Sequence, residues 1–83
     1  MPHYFMHLID GTDRLLDPDG VEMPAHGVGA AALRAARDCM AGDVHDGRLD
    51  LRYRIEVQDQ RGAVVHRLEF ADALKIISPE AVG

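Results

Sequence analysis

The residues with chemistry to offer are five histidines, a run of acids near the N-terminus, one cysteine, one serine and a set of arginines in the second half. The densest stretch is DRLLDPDGVE, residues 13–22, where Asp13, Asp17, Asp19 and Glu22 surround Pro18 and Gly20, with Asp10 just upstream. A helix-loop-helix calcium loop needs oxygen ligands at positions one, three and five, Gly at six and a bidentate Glu at twelve. Setting Gly20 at six puts Asp17 and Asp19 at three and five, but leaves Leu15 at one and His26 at twelve. Asp first, Pro second and Gly fourth is the signature of a type I turn, so the stretch is expected to turn the chain.

The other constellations fare similarly. His3 and His7 share a strand face but stand roughly 13 Å apart at about 3.3 Å per residue, too far to share a metal. His26, His45 and His66 fall in three separate elements. Ser78 is the only serine and lies near the C-terminus, so a Ser-His-Asp nucleophile finds no place. GVGA at 27–30 is too short for a phosphate loop and lacks the following Lys. Cys39 forms no internal disulfide, and on the apolar face of a helix it reads as a small core side chain. The carboxylates are expected in turns or on wetted strand faces, as ordinary acids. No catalytic residue, metal ligand or cofactor is assigned, and the chain reads as a non-enzyme.

The arginines are more suggestive. Net charge is −5, yet residues 47–69 carry five Arg against four acids, while residues 1–24 carry five acids and one Arg. In the simplest hairpin register Arg54 opposes Arg67 and Arg52 opposes Glu69, with Arg61 at the turn. Like charges opposed across a ladder are destabilising unless an anion lies over them, so the face is expected to be either a solvated one with diagonal Arg–Glu pairs, the favoured reading, or a contact for phosphate or an acidic protein surface. This cationic face, Arg52, Arg54, Arg61 and Arg67, is one candidate interaction surface.

The elements that must position these groups are few. HYFMHLI is rich in aromatic and branched residues and ends at DGTD, where Gly11-Thr12 reads as a two-residue turn with Gly at a positive φ. That pairing sets Leu8 against Leu15. A helix is expected from Ala25 to about Ala41, since Val28, Ala32, Leu33, Ala36, Cys39 and Met40 share one arc and Gly42 offers a stop. LRYRIEVQD then alternates apolar Leu51, Tyr53, Ile55 and Val57 with polar residues, the period of a half-buried strand. DQRG repeats the Asp-to-Gly turn, and pairing Asp59 with Gly62 sets Val57 against Val64 and Tyr53 against Leu68. ADALKII reads as a helical turn or an edge segment. The order is hairpin, helix, hairpin (ββαββ): an α+β fold, a four-stranded antiparallel sheet with one helix on one face. Residues 1–77 form the single domain that 83 residues allow, and 78–83 a flexible tail.

MPHYFMHLIDG, DPDGVEMP, the Ala-rich AAALRAARDCM, IEVQDQRG and LEFADAL together resemble a family of short bacterial proteins known only as a domain of unknown function. The resemblance spans nearly the whole chain. It implies a small domain of βαβ type in a bacterial cytoplasm, and no activity, cofactor or catalytic residue. PAHG at 24–27 departs from the pattern, where relatives place an acid after the proline.

Hydropathy agrees with the cytoplasm, for no apolar run nears the roughly 20 residues of a membrane helix and no leader stands at the N-terminus. A non-catalytic interaction or regulatory module is therefore the leading expectation. A nucleic-acid-binding accessory protein using the Arg face is the alternative, disfavoured by the net charge. One helix covers a four-stranded sheet thinly, leaving part of Phe5, Ile9 or Leu16 on the opposite face in water. With two sheet edges to protect as well, the chain is expected to form a homodimer through an edge or that face, besides any unknown protein partner.

Overall fold

The computed structural model describes residues 1–79. Its strands are β1 (His3–Ile9), β2 (Arg14–Leu15), β3 (Val21–Glu22), β4 (Arg54–Gln58) and β5 (Val64–Glu69), with the helix α1 (Val28–His45) between β3 and β4. All pairings are antiparallel, in the order β2-β1-β4-β5, and β3 pairs with β1 beyond β2. The fold is α+β, with one helix on one face of an open antiparallel sheet, as the alternation and the helical arc require. No helix among the described residues is long and apolar enough to cross a membrane. Most of the expected tail, at 80–83, lies outside the described residues.

The first hairpin takes the expected register, Leu8 against Leu15 and Ile9 against Arg14. Gly11 supplies no positive φ, however. The Asp10 carboxylate holds this turn instead, accepting the N–H groups of Thr12 at 2.8 Å and Asp13 at 2.7 Å. After the Asp17–Gly20 turn the chain reverses and runs back along β1 as a further short strand, β3, pairing Val21 with Tyr4 and Glu22 with His3.

The helix begins at Val28, preceded by a 3₁₀ turn at Ala25–Gly27, and its buried stripe is Val28, Ala32, Ala36 and Met40. Gly42 does not stop it. It runs to His45 and ends where Gly47 turns left-handed, φ +91°, with the Gly47 N–H on the Val44 carbonyl and the Arg48 N–H on that of Asp43. This paired C-terminal closure needs a residue tolerant of positive φ, which Gly47 supplies.

The second hairpin corrects the expected register. Gly62, at φ +84°, makes a three-residue loop in which Asp59 pairs with Ala63, and Val65 adds a bulge between Val57 and Gln58. Partners therefore shift by two residues: Ile55 faces Leu68, Glu56 faces Arg67 and Arg54 faces Glu69. An even shift leaves each side chain on its expected face. The strand also starts at Arg54, not Leu51, because the Asp50 carboxylate bonds the Arg52 N–H and side chain and turns the chain there.

Tyr4, Ile55 and Val57 of the sheet meet the helical stripe and Phe70 in a single core. Phe70 opens a 3₁₀ turn (Phe70–Asp72), the helical alternative for ADALKII, and its N–H still reaches the Tyr53 carbonyl. Ala73 is buried beside it, and the Arg37 Nε–H donates to its carbonyl at 2.8 Å, tying the turn to α1.

Candidate interaction surface

Asp17 shows what the acidic loop does. Its Oδ1 accepts the N–H groups of Asp19 and Gly20, and its Oδ2 accepts the Met6 N–H at 3.2 Å. Its own N–H donates to His7 Nδ1 at 3.0 Å, and His3 Nε2 donates to the Asp19 carbonyl at 2.7 Å. Burial raises the Asp17 carboxyl, but the bonds from Gly20, Met6 and Asp19 outweigh it and hold the group below its ordinary value. Gly20 sits at φ +69°, where a Cβ would fall 2.6 Å from the Tyr4 carbonyl oxygen. The loop thus folds down on the outer edge of β1. Among the described residues no three His, Cys, Asp or Glu side chains gather as a metal site.

The result is an edge with its donors filled. Antiparallel strands point alternate residues' backbone groups to opposite sides, and the Asp10–Asp13 bond shows that the even residues of β1 point outward. Tyr4 meets β3, Leu8 meets β2, and Met6, between them, meets the Asp17 carboxylate. The opposite edge, β5, pairs only with β4 among the described residues. The Phe70 N–H points at Tyr53, so by alternation Leu68 also faces β4 while Arg67 and Glu69 turn their backbone groups outward.

The expected cationic face is not a row of opposed arginines. Glu56 lies between Arg54 and Arg67, its Oε2 accepting both Nε–H groups, at 3.0 and 3.2 Å. Burial pushes the Glu56 carboxyl up, but the two guanidinium bonds win and hold it below its ordinary range. Arg52 is held by Asp50 at 2.8 Å, and Arg61 reaches Asp59 at 3.4 Å. With Arg52 bound to it and Arg48 nearby, the Asp50 carboxyl falls to about 2. Glu56 and Asp50 are buried, contrary to the expectation of wetted, ordinary acids. With partners shifted by two, Glu56 lies beside both cations, a placement the simpler register hides.

Phe5, Ile9 and Leu16 part company. Phe5 is half-buried on the sheet face away from the helix, between the rings of His3 and His7 at 5.1 and 6.4 Å. Ile9, beside Arg54 on that face, is 4% exposed and not in water as expected. Leu16 is exposed, but it lines the helix side. There α1 packs on β4 and β5 and leaves β1 partly open, forming an apolar groove of about 390 Å³ among Met6, Leu8, Leu15, Leu16, Ala35 and Cys39. Burial, with the negative charges of Asp43 and Asp38, pushes the Cys39 thiol up, the reverse of what a nucleophile needs.

The family model for a domain of unknown function, DUF6894, matches residues 3–71, from the start of β1 into the turn after β5. The chain belongs to this family. The matched span contains the five strands described above and the helix. Comparison with curated proteins and with solved structures finds no match.

Proposed function

We propose that the protein is a small non-catalytic interaction module, a regulator or accessory subunit that works as a homodimer. The observation carrying this reading is the inequality of the two sheet edges. The chain spends β2, β3 and the Asp17 carboxylate on sealing β1, yet Arg67 and Glu69 of β5 turn their backbone groups outward with no strand of the described residues against them. An open edge on a soluble domain invites aggregation unless it has a designated occupant. The resemblance in its motifs implies a bacterial cytoplasm, where the free thiol of Cys39 is at home. The rival reading, nucleic-acid binding through Arg52, Arg54, Arg61 and Arg67, draws little support from arginines each held by a carboxylate of the same chain.

Light scattering after size exclusion, from low micromolar to roughly 100 µM, tests the reading. A mass rising towards twice the 9.1 kDa chain is expected. A mass fixed at 9.1 kDa throughout contradicts it.

A further inference from the structure

We infer that two copies join edge to edge through β5, antiparallel about a two-fold axis at Leu68, with Arg67 of each chain opposite Glu69 of the other. The inference rests on the self-association reading and supplies its surface and register. Backbone alternation restricts the choice. Only residues turning N–H and C=O outward can exchange hydrogen bonds with a second copy, and near the end of β5 these are Arg67 and Glu69. A two-fold pairing of outward residues then has three solutions: Arg67 on Arg67, Glu69 on Glu69, or Arg67 on Glu69. The first two place like charges directly across a ladder. The third places opposite charges together twice and exchanges both hydrogen bonds at each pair.

That register also extends a pattern already present. On the open sheet face one row runs His7, Glu56, Arg67 and the neighbouring row Ile9, Arg54, Glu69. Joining Arg67 to the partner's Glu69 makes a single row of alternating charge, with Glu56, Arg67, the partner's Glu69 and the partner's Arg54 in succession. On the helix side, half-buried Leu68 gains its own copy as cover, the two Cα atoms about 4.5 Å apart as in a pair without direct hydrogen bonds. Because α1 packs on β4 and β5, strand spacing sets the two helix axes about 10 Å apart, a close-packed separation. The Val65 bulge lies before the paired stretch, and the 3₁₀ turn at Phe70 ends it.

Glu69→Pro is the sharpest test. Glu69 has φ −74°, which proline adopts, and its N–H faces away from β4, so the fold loses no ladder bond while the edge loses a donor. Its circular dichroism should match that of the parent, with the dimer gone at concentrations where the parent is dimeric. Arg67→Glu and Glu69→Arg should each weaken self-association at least tenfold. Mixed, they should restore a dimer, because each Arg of one chain then faces a Glu of the other. A dimer that survives Glu69→Pro, or a mixture no tighter than its components, overturns the β5 surface while leaving self-association standing. A parent that is monomeric throughout overturns both.

Discussion

The carboxylate of Asp17 closes a turn and a strand edge together, and that double role makes it the most consequential polar group in the N-terminal half. Asp17→Ala strands the Met6 and Gly20 N–H groups and should cost about 2 kcal/mol, read as a fall in urea midpoint at unchanged slope. The pH dependence follows from the sign of the shift. Asp17 and Glu56 titrate below their ordinary 3.8 and 4.5 in the folded chain, so the stability they contribute is present above those values and is lost as pH falls through the folded ones. Asp50, at about 2, extends the loss further down. The melting temperature should drop steadily from about pH 4 towards pH 2, and Asp17→Ala should drop less over that window. An identical profile for the variant would remove Asp17 from the account. The turn role was legible in the order Asp, Pro, Asp, Gly. The bond to Met6 was not, since it depends on β3 folding back to bring the loop over the edge.

Two glycines separate what the pattern determines from what the backbone decides at the level of elements. Apolar spacing located the helical stripe and the inward faces of the two strands of the second hairpin, because burial enforces those periods. It placed the helix end at Gly42, which is helical with nothing within 4 Å of a Cβ there, whereas Gly47 turns the chain out at φ +91°. Gly42→Ala should therefore stabilise the fold by about 0.5–1 kcal/mol and Gly47→Ala destabilise it by about 1 kcal/mol, a pair separable by thermal melting. The second hairpin escaped for a related reason. Its Gly62 loop and Val65 bulge move the partners by two, and alternation is blind to an even slip. Leu68→Asp puts a charge against the core and should cost several kcal/mol, while Val65→Asp, on an exposed bulge, should cost under about 1 kcal/mol. Equal losses would mean that β5 is turned over.

The whole molecule is a two-layer unit with unequal flanks. One helix suffices for β4 and β5, β1 is closed along its edge by two short strands and an aspartate, and among the described residues β5 is left open. Composition and length pointed to a thin core and led to the proposal of a second copy, but could not choose between edges. That choice depends on which backbone groups already have partners. Amide hydrogen exchange in β5 followed against protein concentration is the most direct test. Leu68 and Phe70, bonded to β4, should be protected at every concentration, and Arg67 and Glu69 should become protected only as the dimer forms. If the Arg67 and Glu69 amides exchange freely at the highest concentration while Leu68 stays protected, β5 is not the joining edge.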